Sequence, residues 1–118
     1  MKINKALQTG STTLLLLKLL EAKDMYGYEM IEQLAKQSQN VFELKAGTLY
    51  PLLHSLHKKG FVKSYDSKTE KGRVRKYYKI TKDGLAFLVE KELEWQKYSS
   101  AVNRVLQGGV TYELQSSY

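Results

Sequence analysis

The apolar positions change their spacing as the chain proceeds. From Ser11 or Thr12 to about Ala22 they are nearly continuous, with Leu14, Leu15, Leu16, Leu17, Leu19 and Leu20 interrupted by Lys18. Such a segment is a helix that is apolar almost all round. It is either central to its own core or covered on a second side by another chain, and the second arrangement is expected. Residues 1–10 are polar with scattered apolar positions (Ile3, Leu7), the frayed start of this helix. Lys23-Asp-Met-Tyr-Gly27 breaks the pattern, with Asp24 as an N-cap or turn residue. Tyr28, Ile31, Leu34 and Ala35 then recur at three-and-four spacing. They predict a second helix to about Gln37, with Glu29, Glu32, Gln33 and Lys36 towards water. Ser38-Gln-Asn40 ends it, and Val41-Phe-Glu-Leu44 is expected to be extended.

The stretch from Ala46 to Gly60 predicts a third helix with two unlike faces. Leu49, Leu52, Leu53 and Leu56 gather on one side; Thr48, Pro51, His54, Ser55, Lys58 and Lys59 lie on the other, with no acid among them. Gly60 closes the helix, and Lys58 and Lys59 sit at its negative end. Beyond Gly60 the period falls to two. Phe61–Tyr65 and Arg73–Ile80 read as strands around Asp66–Gly72, which is turn chemistry. In the second strand Val74, Tyr78 and Ile80 point one way, and Arg73, Arg75, Tyr77 and Lys79 the other. Thr81 is the expected N-cap of a last helix, with Asp83 in its first turn and Gly108-Gly109 as its stop. Leu85, Leu88, Trp95, Val102 and Leu106 form a seam along it, with Glu92 and Ser99 in the polar gaps. A helix of about 26 residues, ~39 Å at the usual rise, outreaches so small a domain and invites a second copy.

The fold class that follows is mainly α with a two-stranded β wing: a winged helix-turn-helix over residues 1–81, a long C-terminal dimerisation helix over 82–107, and a mobile tail over 108–118. Charge sharpens this. Of the formal +7, the window from Lys58 to Lys82 carries +8 and the rest of the chain −1. A single basic patch on a balanced protein points to a polyanion met at a defined place. The chain has no cysteine, so disulfides, thiolate metal sites and cysteine nucleophiles are excluded. The leucine run falls short of the ~18 apolar residues of a membrane span, and a soluble cytoplasmic protein is expected. No glycine-rich phosphate loop or nucleophile motif is present, so an enzyme is not expected. His54 and His57 lack a third ligand at useful spacing, so neither metal nor cofactor is expected.

Three blocks in order carry a resemblance: Tyr26-Gly27-Tyr28-Glu29; Gly47-Thr48-Leu49-Tyr50-Pro51-Leu52-Leu53 with Leu56 and Gly60; and Gly72-Arg73-Val74-Arg75-Lys76-Tyr77-Tyr78 with Ile80-Thr81 and Gly84. Over roughly residues 10–107 the chain resembles the PadR family of bacterial transcriptional regulators, in its smaller subgroup with one C-terminal helix. The resemblance implies a winged-helix domain, a homodimer built through the first and last helices, and repression of a nearby promoter. Val74 departs from the family, where many members place proline or another residue between the two wing basics. At His54 and His57 other members often carry longer polar or charged side chains, so base preference does not carry over. Some small members hold flat aromatic drugs between paired tryptophans at the dimer centre, and Trp95 matches that position.

Candidate residues follow from both lines. Arg73, Arg75, Lys76 and Lys71 are expected on DNA phosphates or in the minor groove. Lys45, Thr48, Tyr50, Pro51, His54 and Lys58 are expected on the groove face of the third helix, with Tyr50 alternatively packed inward beside Leu53. Pro51 is expected in or just after the first turn, losing little hydrogen bonding and leaving that helix end open to a phosphate. Trp95, with Glu92, Tyr98 and Ser99 a turn away, is either a packing residue or the wall of a site for a planar aromatic or cationic small molecule. Leu14, Leu17, Leu85, Leu88, Trp95, Val102 and Leu106 are the expected dimer contacts. The partners expected are double-stranded promoter DNA and a second copy of the chain. The competing function is a winged-helix protein- or RNA-interaction module without ligand control. RNA readers display several exposed aromatics, however, and here Tyr77 alone among the wing tyrosines is expected to look outward.

Overall fold

The computed structural model describes residues 5–108, with side chains from Ser11 onward. The elements run α1 (Lys5–Ala22), β1 (Met25–Tyr26), α2 (Gly27–Gln37), α3 (Ala46–Lys58), β2 (Val62–Lys68), β3 (Val74–Ile80) and α4 (Lys82–Leu106). They divide into two compact units between Leu88 and Val89, inside α4. Helix α1 begins well before Ser11, and the tail expected beyond Gly108 lies outside the described residues.

In the first unit the leucine run is spent within the chain itself. Leu16, Leu17, Leu19 and Leu20 are buried with Met30 and Leu34 of α2, Leu49, Leu53 and Leu56 of α3, Val62 and Tyr78 of the sheet, and Leu88 of α4. Each fully buried leucine contributes about 1.5–3 kcal/mol. The all-round apolar character of α1, which suggested cover by a second chain, is therefore largely explained by one; Leu14 and Leu15 remain half-buried. Leu17 and Leu88 were expected at a dimer interface. Both are fully buried in this core and have no surface left to offer a second chain.

The sheet is a three-stranded antiparallel one, order β1-β3-β2, where two strands were expected. Met25 pairs with Tyr78 and Tyr26 with Tyr77. A strand of two residues has no period to read, which is why the Lys23–Gly27 segment looked like a plain break. Asp24 is neither cap nor turn there: its carboxylate accepts the Tyr65 hydroxyl at 2.6 Å. The extended N-cap of α2 is Tyr26, whose N–H approaches the Glu29 carboxylate at 3.4 Å. The buried line of α2 is Gly27, Met30 and Leu34, one position round from the expected stripe, and Tyr28 is exposed.

Between α2 and α3 the chain turns through Gln39 and Asn40, both left-handed (φ 53° and 66°). Residues 41–44 form no strand, but Phe42 and Leu44 pack on the core. Helix α3 ends as expected: Gly60 takes φ 79°, its N–H bonds the His57 carbonyl at 3.0 Å, and that of Phe61 bonds the Leu56 carbonyl at 2.9 Å. This pair of bonds satisfies two carbonyls the helix end would otherwise leave open. Thr81 caps α4, its Oγ1 accepting the Gly84 N–H at 3.0 Å while its hydroxyl donates to the Gly60 carbonyl at 2.6 Å. One side chain thus ties the start of α4 to the end of α3.

Candidate nucleic-acid interface

Helix α3 separates its two faces cleanly. Leu49 and Leu53 are fully buried and Leu56 nearly so, while Gly47, Pro51, His54 and Lys58, at steps of four, three and four, form an exposed stripe opposite them. Lys45 and Thr48 are exposed at the helix start, and Ser55 is half-buried. No side chain caps the N-terminus, and no acid stands in the first turn. Pro51 is the sixth residue of the helix, just past the first turn as expected, but it costs more hydrogen bonding than expected. The N–H it lacks is the one that would have bonded the Gly47 carbonyl, so the loss is a whole interior hydrogen bond.

Tyr50 occupies the flank. It does not turn inward beside Leu53: its ring lies across Gly27 at the start of α2, and the residue remains 42% exposed. A methyl group on Gly27 would stand 2.7 Å from Tyr50 Cζ. Gly27 is therefore a seat for the tyrosine, a role visible only once α2 and α3 are packed. Burial and the nearby Tyr50 hold the Tyr78 phenol above its ordinary range.

The register of the wing divides its cations. Tyr77 faces Tyr65 and Tyr26 in one cross-strand row, and Arg75 faces Ser67 on the same side of the sheet. Lys76 pairs with Asp66 and points to the opposite side. Arg73, just before β3, is exposed and lines a notch beside the sheet together with Arg75 and with Lys71 at the wing tip. Tyr77 is not the outward-looking residue it was expected to be. Tyr65 stacks on it with ring centres 5.8 Å apart, and Tyr26 meets it edge-on at 5.4 Å. The hydrogen bond to Asp24, above all, pushes the Tyr65 phenol up to about 12. Arg75 places its guanidinium 5.8 Å from the centre of the Tyr26 ring, and its Nε is buried without a hydrogen-bond partner. Lys23 bonds Glu29 at 2.7 Å, which raises the lysine above its usual range.

In the second unit Trp95 is half exposed and its ring centre lies 6.1 Å from that of Tyr98, tilted by 38°. Glu92 and Ser99 are half-buried, and the Ser99 hydroxyl donates to the Gln96 carbonyl at 3.3 Å. Val102 and Leu106 are exposed along this part of α4, as are Val89, Leu93 and Val105. In the first unit Leu85 is exposed as well. Among the described residues no group of acids and histidines is placed to hold a metal, and no helix is long and apolar enough to cross a membrane.

The model of the PadR-like transcriptional regulator family matches residues 16–90, which takes in α2, α3 and the whole wing. The chain belongs to the PadR-like family. A PadR-like transcriptional regulator of Bacillus cereus is 31% identical, over 88% of this chain and 99% of its own, with a TM-score of 0.80. A PadR family regulator of Clostridium difficile is 37% identical, over 81% of this chain and 98% of its own, with a TM-score of 0.72. An uncharacterised protein of Lysinibacillus sphaericus is 33% identical over 99 residues, 84% of this chain and 91% of its own. PadR-like proteins are non-enzymatic DNA-binding regulators with a winged-helix fold, and this chain is such a regulator. In this winged-helix fold the three-stranded sheet is the wing with its short first strand.

Proposed function

We propose that this regulator is a repressor that binds a palindromic promoter site as a homodimer and is released by a planar aromatic small molecule. The observation that carries the DNA reading is the pairing of an acid-free exposed stripe on α3 with exposed cations on the wing. Gly47, Thr48, Pro51, His54 and Lys58 meet base edges and phosphates in the major groove, with Tyr50 at the flank and Lys45 at the helix start. Arg73, Arg75 and Lys71 bind the flanking phosphates from one side of the wing, and Lys76 from the other. With Tyr77 covered and Tyr78 buried, Tyr65 is the wing tyrosine that stays exposed. That is fewer rings than the several an RNA reader displays, which favours duplex DNA over RNA.

The dimer is supported by the apolar side chains left exposed on α4. Leu85, Trp95, Val102 and Leu106 stay on the three-and-four seam and lie open in the single chain, and Leu14 on α1 adds to them. The inducer site is supported by Trp95 and Tyr98, with Glu92 and Ser99 beside them, where a flat cation finds ring faces and a carboxylate. A footprint of the DNA upstream of the gene and its neighbours, with sedimentation of the free protein, tests the whole. The expected result is a symmetric protected site with half-sites about one helical turn apart, bound by a dimer. A monomer indifferent to duplex DNA at low salt refutes it.

A further inference from the structure

Strand β1 ends at Tyr26, where the chain turns into α2, while β3 continues to Val74. No residue of β1 therefore stands opposite Arg75. Tyr26, paired with Tyr77, is instead its diagonal neighbour on the same side of the sheet. Diagonal neighbours reach each other when one is aromatic and the other long. Here they do: the Arg75 guanidinium lies over the Tyr26 ring, 5.8 Å from its centre.

Among the described residues the guanidinium makes no hydrogen bond and no ion pair. Glu29 is bonded to Lys23 at 2.7 Å, and Asp24 takes the Tyr65 hydroxyl at 2.6 Å. Of the three guanidinium nitrogens Nε alone is buried without a partner, so the two Nη nitrogens keep accessible surface. A ring attracts a cation through its quadrupole and takes up no N–H in doing so, which leaves the outer donors to a phosphate. The ring is itself braced. It meets Tyr77 edge-on at 5.4 Å, Tyr77 stacks on Tyr65 at 5.8 Å, and the Tyr65 hydroxyl returns to Asp24, two residues before Tyr26. Lys71, Arg73 and Lys76 are exposed and lie against no ring among the described residues. A side chain already held loses less freedom on binding than one that must be ordered at that moment.

We propose that Tyr26 is a positioning residue for DNA binding: its braced ring holds the Arg75 guanidinium ready for a duplex phosphate and acts through Arg75 alone. The inference rests on the DNA reading above, and the outcomes below separate its failure from the failure of that reading.

The test is fluorescence anisotropy of the full chain on a labelled duplex from the DNA upstream of the gene. It runs as a cycle of Tyr26→Leu, Arg75→Ala and the double variant, with Tyr26→Phe beside them. Tyr26→Leu is expected to weaken binding about two- to fivefold. The same change in the Arg75→Ala chain is expected to cost nothing more, and Tyr26→Phe, which keeps the ring, to bind like the parent. A merely structural role would weaken binding equally in both backgrounds. Nuclear relaxation of the arginine Nε–H resonances, read on the unbound parent, needs neither DNA nor a variant that folds. There Arg75 is expected to be more ordered than Arg73. Parent-like binding by Tyr26→Leu, an equal loss with Arg75→Ala in place, Tyr26→Phe as weak as Tyr26→Leu, or Arg75 as mobile as Arg73 would each overturn the inference and leave the DNA reading standing. A parent chain that ignores the duplex refutes both.

Discussion

Two glycines inside helices invite opposite outcomes from the same substitution. On propensity alone, Gly→Ala within a helix stabilises by about 0.5–1 kcal/mol. At Gly47 a methyl group meets nothing within 4 Å, and the backbone is ordinary helix, so Gly47→Ala is expected to stabilise by about 0.5–1 kcal/mol. At Gly84 the added Cβ would overlap the Phe61 carbonyl oxygen and stand 2.8 Å from Ile80 Cγ1. That carbonyl is not free to retreat, because it accepts the Thr81 N–H at 3.0 Å at the start of α4. Overpacking of this kind costs about 1–3 kcal/mol, which exceeds the propensity gain. A net loss of about 1–2 kcal/mol is expected for Gly84→Ala. Thermal unfolding followed by circular dichroism, at one protein concentration, reads both. Each kcal/mol moves Tm by about 4–8 °C in a domain of this size. Gly47→Ala should therefore melt a few degrees above the parent, and Gly84→Ala about 5–15 °C below it. If both rise together, helix propensity outweighs the close approach at Gly84 and the packing argument fails.

Arg73→Ala should flatten the dependence of log affinity on log salt by about 0.9, the contribution of one duplex phosphate contact; an unchanged slope in fluorescence anisotropy removes Arg73 from the interface. Tyr65 keeps its proton to about pH 12, and a phenol with a raised folded pKa stabilises the fold below its unfolded value of 10 and loses that effect as pH climbs towards 12. Tyr65→Phe should abolish the latest step in an ultraviolet titration of the tyrosines and make stability less sensitive to pH between 10 and 12; a late step that survives assigns it elsewhere. Planar cationic dyes should quench Trp95 fluorescence and raise Tm, and the absence of both effects leaves Trp95 a packing residue. Pro51→Ala restores an interior N–H to α3 and should stabilise the fold by up to about 3 kcal/mol while weakening operator binding; tighter binding or no change takes Pro51 off the groove face.

What the sequence made legible was local. Gly60 and Thr81 announce their helix ends through short-range bonds that any reader of the chain can anticipate, and both form. The leucines of α3 fall on the buried side as their spacing requires. What stayed hidden depends on distant parts meeting. Two-residue β1 exists only because β3 offers it an edge, and its presence turns Tyr77 from an exposed ring into the middle of an aromatic row. Gly27 and Gly84 look like helix weaknesses until Tyr50 and the Phe61 carbonyl arrive against them. Leu17 and Leu88 share the spacing of seam residues, and spacing alone cannot tell an inner contact from one with another chain. In the wing, alternation assigned Arg75 to a face correctly but said nothing of the recess that buries its Nε.

Helix α3 is a poor helix by every local measure. Lys45 makes no side-chain cap, the first turn has no acid to meet the dipole, Gly47 weakens the second position and Pro51 deletes an interior bond. All four features lie on the exposed side or at the open end of the helix, away from the buried leucine face. Helix α3 is therefore held by tertiary burial of Leu49, Leu53 and Leu56, worth about 1.5–3 kcal/mol apiece, which outweighs the ~3 kcal/mol proline penalty. Each supposed defect is also what a phosphate-facing helix end requires. A capping side chain would occupy the free N–H groups, an acid would repel the phosphate, and a larger residue at Gly47 would keep the backbone from close approach. On the proposed DNA reading, burial of one face holds the helix and leaves the other face to the operator.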